Sequence, residues 1–194
     1  MGTLKTTNIQ SISGSGTVTL GVSGETFDIP SGVTLDSTGA TITGALTNTP
    51  SFAAYASGDQ ALTDNAWTKL QFDTEIYDVG GGYDNVNDKF VVPAGEAGKY
   101  SFSARCNIDT AHNTAGASDI HIGIYVNGTI YSNQQQRWLG YPQRNVGVNL
   151  TQILNLSVSD YVEIYINCDD GQNSPNAESS DKHIYFEGFK LIGA

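Results

Sequence analysis

From about residue 50 onward, apolar and polar residues alternate with period two. Residues 100–106 set Tyr100, Phe102, Ala104 and Cys106 against Ser101, Ser103 and Arg105, which predicts a strand with one buried face. Residues 161–168 set Val162, Ile164 and Ile166 against Tyr161, Glu163 and Tyr165 in the same way. Further strands are predicted over 52–56, 67–73, 76–79, 89–92, 99–107, 120–126, 145–157 and 183–192. Pro93 stands at a strand end, where its missing donor breaks no ladder. Two stretches lack periodicity. Residues 134–144 (QQQRWLGYPQR) read as a loop, and 169–182 (DDGQNSPNAESSDK) as a polar loop in place of a strand. No long run of Leu, Glu, Lys and Ala predicts a helix, so the pattern is all-β.

Residues 1–49 differ. Lys5, Glu25, Asp28 and Asp36 carry the only charges there, and Phe27 is the only aromatic. Short β-type pieces at 17–20, 26–29, 33–36 and 40–43 are separated by Gly-Ser or Pro-Ser-Gly turns. Each offers only a thin apolar stripe, too little for a core of its own. A Gly/Ser/Thr linker is one reading. The other is a slender β-stalk in which three chains complete one another's core. The in-phase recurrence of the aliphatics favours the stalk. A hinge at 46–50 then leads into a head at 50–194.

Composition narrows the function. The chain carries 20 acidic and 9 basic residues, net −11, which argues against binding nucleic acid or an anionic membrane surface. No apolar targeting segment opens the sequence and no eighteen-residue apolar run crosses it, so neither secretion nor membrane insertion is expected. Nucleophile elbows, phosphate loops and paired acids in an aromatic cleft are missing, so no enzyme activity is expected. His112, His121 and His183 lack metal-ligand spacing. The Asp/Asn-rich loops around Asp78, Asp84 and Asp88 and across 169–181 hold enough oxygen to consider Ca²⁺. They carry no calcium-loop spacing, and solvated turns are the simpler reading. No cofactor is therefore expected.

The order of motifs resembles the globular head of complement component one-q and its tumour-necrosis-factor-like relatives. Phe72–Asp73, Tyr83–Asp84 and Phe90 are followed by Pro93, Gly98, Tyr100 and Phe102. Residues 51–53, the hairpin Val126–Asn127–Gly128, the late-strand pair 154–161 (LNLSVSDY) and Gly188–Phe189 match in turn. The resemblance implies a ten-strand jelly roll that assembles as a homotrimer, with Tyr161 and Tyr165 at subunit contacts faced by Ser101 and Ser103. It also implies that Cys106 and Cys168 lie on neighbouring antiparallel strands, at opposite ends of the ladder roughly 20 Å apart, with no disulfide. Residues 14–44 are similar in style to stalk segments of tailed-phage structural proteins, notably those of phages infecting marine bacteria.

Together these readings describe a virion fibre protein. The stalk would join other virion proteins, and the head would meet a glycan or outer-membrane component on the host cell. A purely structural decoration of the particle is the alternative, and a secreted complement-like lectin is a third reading. The expected topology puts the 107–118 loop at the outward tip, together with the turn at Val158–Ser159 and the loop before His183. It makes His112, Asn113 and Thr114 the first contact candidates. Arg137, Trp138 and Tyr141, in a loop starting from the stalk side, form a lateral candidate suited to stacking on sugar rings.

Overall fold

The computed structural model describes residues 48–109, 117–139, 146–169 and 175–192. The expected stalk, save its last two residues, lies outside that range, as do His112, Asn113, Thr114 and Tyr141. In chain order the strands are β1 (Ser51–Tyr55), β2 (Gln60–Ala61), β3 (Thr68–Lys69), β4 (Thr74–Val79), β5 (Tyr83–Asp84), β6 (Lys89–Val91) and β7 (Gly98–Asp109). After them come β8 (Ala117–Val126), β9 (Thr129–Leu139), β10 (Val146–Leu156), β11 (Tyr161–Asp169), β12 (Asn176–Ala177) and β13 (Tyr185–Lys190). Thirteen segments thus stand among the described residues where ten strands were expected, and β2, β3, β5 and β12 are two residues long.

They form two antiparallel sheets. The first runs β4-β1-β13-β7-β10, with β12 and β2 continuing beside the end of β7; the second runs β5-β6-β11-β8-β9, with β3 also on β11. The alternation read from the sequence holds on both sides of the sandwich. Tyr100, Phe102, Ala104, Cys106 and Ile108 of β7 point inward against Val162, Ile164, Ile166 and Cys168 of β11. The motif aromatics make the densest part of this core. Phe52 stacks on Tyr83 at 4.7 Å and on Phe90 at 5.2 Å and meets Phe186 edge-on at 4.9 Å. Such ring pairs add to simple area burial. Tyr83 keeps its hydroxyl satisfied by donating to the Phe72 carbonyl at 2.9 Å. This packing requires glycine at position 188, since a Cβ on Gly188 would stand 2.5 Å from the Phe102 ring.

Three sequence expectations need correction. The 134–144 segment is not wholly a loop, because 134–139 belongs to β9, the edge strand paired with β8. Its residues from Thr129 to Tyr131 and from Asn133 to Gln135 are exposed, so an apolar period had nothing to mark. The missing strand was therefore β9, not one in 169–182, where only β12 and a 3-10 turn at Ser180–Lys182 form among the described residues. The 154–161 pair is also not a pair: β10 lies in the first sheet and β11 in the second, joined across the sandwich by a tight turn. That turn is held by Asp160, whose carboxylate accepts from the Ser157 amide at 2.7 Å.

The third correction concerns the cysteines. β7 and β11 sit in facing sheets, so Cys106 and Cys168 are not on one ladder. Both strands start beside the chain entry and end away from it. The two thiols are buried at the same end, and neither is in a disulfide. Burial, and then the nearby Cys168, push the Cys106 thiol well above its ordinary range. A protonated, inaccessible thiol is a poor nucleophile, which fits a packing role.

Candidate functional site

Strand direction decides which parts of the head can face outward. The Lys190 amide donates to the Pro50 carbonyl at 3.0 Å, so the closing strand ends where the head begins. From this entry end β7 runs to Asp109, β10 returns from Val146 to Leu156, and β11 runs out again to Asp169. β8 comes back to a tight turn in which Asn127 and Gly128 both take positive φ, and β9 leads out to Leu139. The connections after Asp109, Leu139 and Asp169 therefore all leave from the far end. This corrects the separation of tip and lateral candidates. Finding β9 reverses the parity, so the chain through Trp138 and Tyr141 departs from the same end as the chain through His112, Asn113 and Thr114. The Val158–Ser159 turn moves to the entry end, where the Ser159 amide donates to the Val92 carbonyl.

Of these candidates Arg137 is described in full. It lies on β9 and its Nε stands 3.5 Å from Asp119. Near the far end of the first sheet there is a depression of about 400 Å³ lined by Arg105, Cys106, Asn107, Asn149 and His183, among others. Its polar side chains Arg105, Asn107 and His183 are already engaged. Arg105 donates to the Lys182 carbonyl at 3.0 Å, and Asn107 bridges Glu178 at 3.1 Å and His183 at 3.3 Å.

The outer face of the first sheet leaves a row of apolar side chains exposed. One row of register partners reads Ile153, Ser101, Phe189, Ser51, Val79. Ile153 is 55% exposed, Phe189 40% and Val79 49%, with Ser hydroxyls between them. The next row reads Thr151, Ser103, Glu187, Ala53, Tyr77, and Tyr77 is also exposed.

Tyr161 and Tyr165 are elsewhere, on the outer face of the second sheet. Ser101 and Ser103 cannot face them, because β7 and β11 belong to opposite sheets and their outer faces point apart. Tyr165 instead packs on Tyr125 of β8 with ring centroids 4.1 Å apart, and Lys89 sits over Tyr161 at 4.9 Å. Glu163 between them is buried and paired with Lys69 at 2.7 Å. Sequence reasoning missed the exposed apolar row of the first sheet because its members come from several strands and none stands out alone.

The acidic loop residues serve the backbone. Asp84 accepts from the Val86 and Asn87 amides, Asp78 from those of Gly82 and Tyr83, and Asp88 from that of Phe72. The bonds to Asn87 hold Asp84 below the usual carboxylate range, whereas burial raises Asp88. Among the described residues no cluster of three or more His, Cys, Asp or Glu could hold a metal ion. No described helix is long and apolar enough to cross a membrane.

The two-sheet, all-β sandwich is similar in fold to the globular domain of complement one-q. The globular domain of the zebrafish complement 1qA protein superposes with a TM-score of 0.50 at 13% identity, over 74% of this chain and 98% of that one. In sequence, the chain is 32% identical over 115 residues to the phage-like element PBSX protein XkdV of Bacillus subtilis, covering 56% of this chain and 16% of XkdV. It is 28% identical over 139 residues to the uncharacterized protein YqcC of the same bacterium, covering 69% of this chain and 37% of YqcC. The chain thus spans well under half the length of either relative. No family model matches it.

Proposed function

We propose that this protein is a homotrimeric fibre protein of a tailed-phage particle, whose head contacts the host cell surface. The observation that carries it is the union of a complement-type head fold with sequence similarity to a phage-element protein. In this reading the exposed row of Ile153, Phe189 and Val79 lies between subunits. Apolar residues separated by small hydroxyls suit a flat, repeated contact, and exposed patches of this kind commonly mark association sites. That keeps Ser101 and Ser103 on the contact face, beside Ile153 and Phe189, and takes Tyr161 and Tyr165 off it. The segment 1–49 would act as the stalk that joins other virion proteins, in virions assembled in the host cytoplasm. The far end, which sends out the chain through His112, Asn113, Thr114, Trp138 and Tyr141, would face a surface glycan or outer-membrane component. Three weak sites on one rigid trimer multiply their effect through effective concentration. The chemistry is binding; no enzymatic step and no cofactor is part of it.

Two measurements test it. Sedimentation of the full chain at micromolar concentration should give a trimer; a monomer overturns the assembly. Soluble trimer should compete with adsorption of the particles that carry it. If adsorption is unaffected at saturating protein, a structural decoration of the particle replaces the attachment reading.

A further inference from the structure

Trp67, just ahead of β3, lies across the outer face of the second sheet. Its indole reaches over Gly123 of β8, where a Cβ would stand 2.9 Å from the ring. Only a residue without a side chain lets the ring lie that close to the sheet. His121 and Tyr125 hold the indole edge-on from either side, with centroids at 6.0 and 5.9 Å, and Tyr125 packs in turn on Tyr165. Although two rings and a glycine notch fix it in place, Trp67 remains 36% exposed. A structural tryptophan is normally covered; this one is positioned and left open.

The surroundings select a ligand. Around the ring stand planar amides on the same face. Gln135 is the register partner of His121, Asn133 that of Gly123, and Asn167 pairs with His121 from the other side. Each amide carries a donor and an acceptor, as vicinal hydroxyls require; Gln135 already donates from its Nε2 to Asp119 at 3.3 Å and presents its carbonyl. Two cations on this face are paired, Lys69 with Glu163 at 2.7 Å and Arg137 with Asp119 at 3.5 Å, and a third, Lys89, lies over the Tyr161 ring at 4.9 Å. The chain's net charge of −11 disfavours an acidic ligand. The apolar groups here are rings, Trp67, Tyr125 and Tyr165, with Ile130 beside Tyr125, set among amides rather than in the continuous aliphatic groove on which an amphipathic helix docks.

We propose that this face is a carbohydrate platform for a neutral pyranose chain. The axial C–H groups of one sugar would stack on the open side of Trp67, whose π face carries partial negative charge. Asn133, Gln135 and Asn167 would take its hydroxyls. The proposal rests on the attachment reading for its biological meaning but names a site that reading did not contain, on the flank of the head.

Calorimetric titration of the intact protein with pentasaccharides of β-1,4-glucose, α-1,4-glucose, β-1,4-galactose and β-1,4-N-acetylglucosamine tests it, with pentagalacturonate as the acidic comparison. At least one neutral probe should bind with Kd below ~10 mM, and Trp67→Ala should weaken it about tenfold or more. The double variant N133A/Q135A, on an exposed edge strand where folding is not at stake, should weaken the same probe several-fold and keeps the test valid if Trp67→Ala misfolds. Absence of any neutral binding, unchanged binding in both variants, or preference for pentagalacturonate overturns the platform. Adsorption separates the two readings. If no neutral sugar binds while wild-type and Trp67→Ala proteins block particle adsorption equally, the platform is wrong and attachment stands. Sugar binding without blocked adsorption upholds the platform and removes the attachment reading.

Discussion

The two outer faces of the sandwich come from strands of similar length and alternation, yet they end in different states. On the first sheet, Ile153, Phe189, Val79 and Tyr77 are apolar and unpacked, spaced by Ser and Ala. On the second, Trp67, Tyr125, Tyr165 and the Lys69–Glu163 pair pack against one another. Bare aliphatics between small residues commonly mark an association site, whereas rings and charges that pack on one another leave less to be covered. The same polar/apolar alternation therefore yields an exposed aliphatic row on one side and, on the other, an interlocked aromatic and charged surface open at Trp67. The difference lies in what the outward residues touch across strands.

The sharpest way to break this contrast is Phe189→Asp. On the proposed assembly face it should cost on the order of 2 kcal/mol or more per contact, repeated at each symmetric copy, and turn trimer into monomer in sedimentation. Monomer stability should change little, because Phe189 is exposed in the single chain. A variant that stays trimeric would show that the bare row is not the contact. The matching change on the other face, Tyr165→Ala, should leave the trimer intact.

Next in size is Lys69→Met. Glu163 is buried, and its carboxylate then loses the cation that pairs with it. The pair is partly exposed, so the cost should be about 1–3 kcal/mol, below that of breaking a fully buried pair. Adding Glu163→Gln should restore most of it, and the double-variant cycle measured by urea unfolding checks the coupling. Additive losses would mean that the second face is less self-contained than its geometry indicates.

Alkali gives a graded test of the core between the faces. Burial pushes the Tyr100 phenol up to about 12 and raises Tyr83 further, with Tyr185 also raised by burial. The unfolded chain releases these protons near pH ~10 while the fold retains them. The associated stability is thus complete below pH ~10 and is lost as pH rises toward about 12. Melting temperature should fall through that window, and Tyr100→Phe should flatten the fall. An unchanged slope in that variant would assign the effect to other groups.

These outcomes mark how far the sequence could be read. The core was legible because Tyr100, Phe102, Ala104 and Cys106 alternate without interruption on a central strand buried on one face. The complement-type order of motifs was legible because Phe72, Tyr83, Phe90 and Phe102 meet in one aromatic cluster, which fixes residue type and order together. β9 was not. An edge strand exposed over most of its length has no burial to impose a period, and its Gln-Gln-Gln run looks like any polar loop. Missing that one strand inverted the inferred chain direction beyond it and moved the 134–144 segment to the wrong end of the head. The Trp67 site was illegible for another reason. It depends on Gly123 beneath the Trp67 ring and on Asn133 on the strand beside it, both distant from Trp67 in sequence and placed there only by the fold and strand register.

The smallest expected effect in stability is also the most informative about function. Arg137 is well exposed, and its contact with Asp119 at 3.5 Å is long for an ion pair. An exposed pair of this geometry contributes about 0–0.5 kcal/mol and is screened by salt. Arg137→Ala should accordingly leave the urea midpoint and the trimer unchanged. Its consequence for adsorption depends on which region meets the host. Arg137 stands two residues before the far end of β9, one register step beyond Gln135 on the same face as Trp67. Contact through the far end alone should make Arg137→Ala lower adsorption while neutral-sugar binding stays as in the wild type. Contact through the Trp67 face should do the reverse for Trp67→Ala and leave Arg137→Ala within about twofold of wild type, a difference worth under about half a kcal/mol. Loss of both functions in both variants would mean that the flank and the far end act as one continuous surface, and that the division drawn between them is wrong.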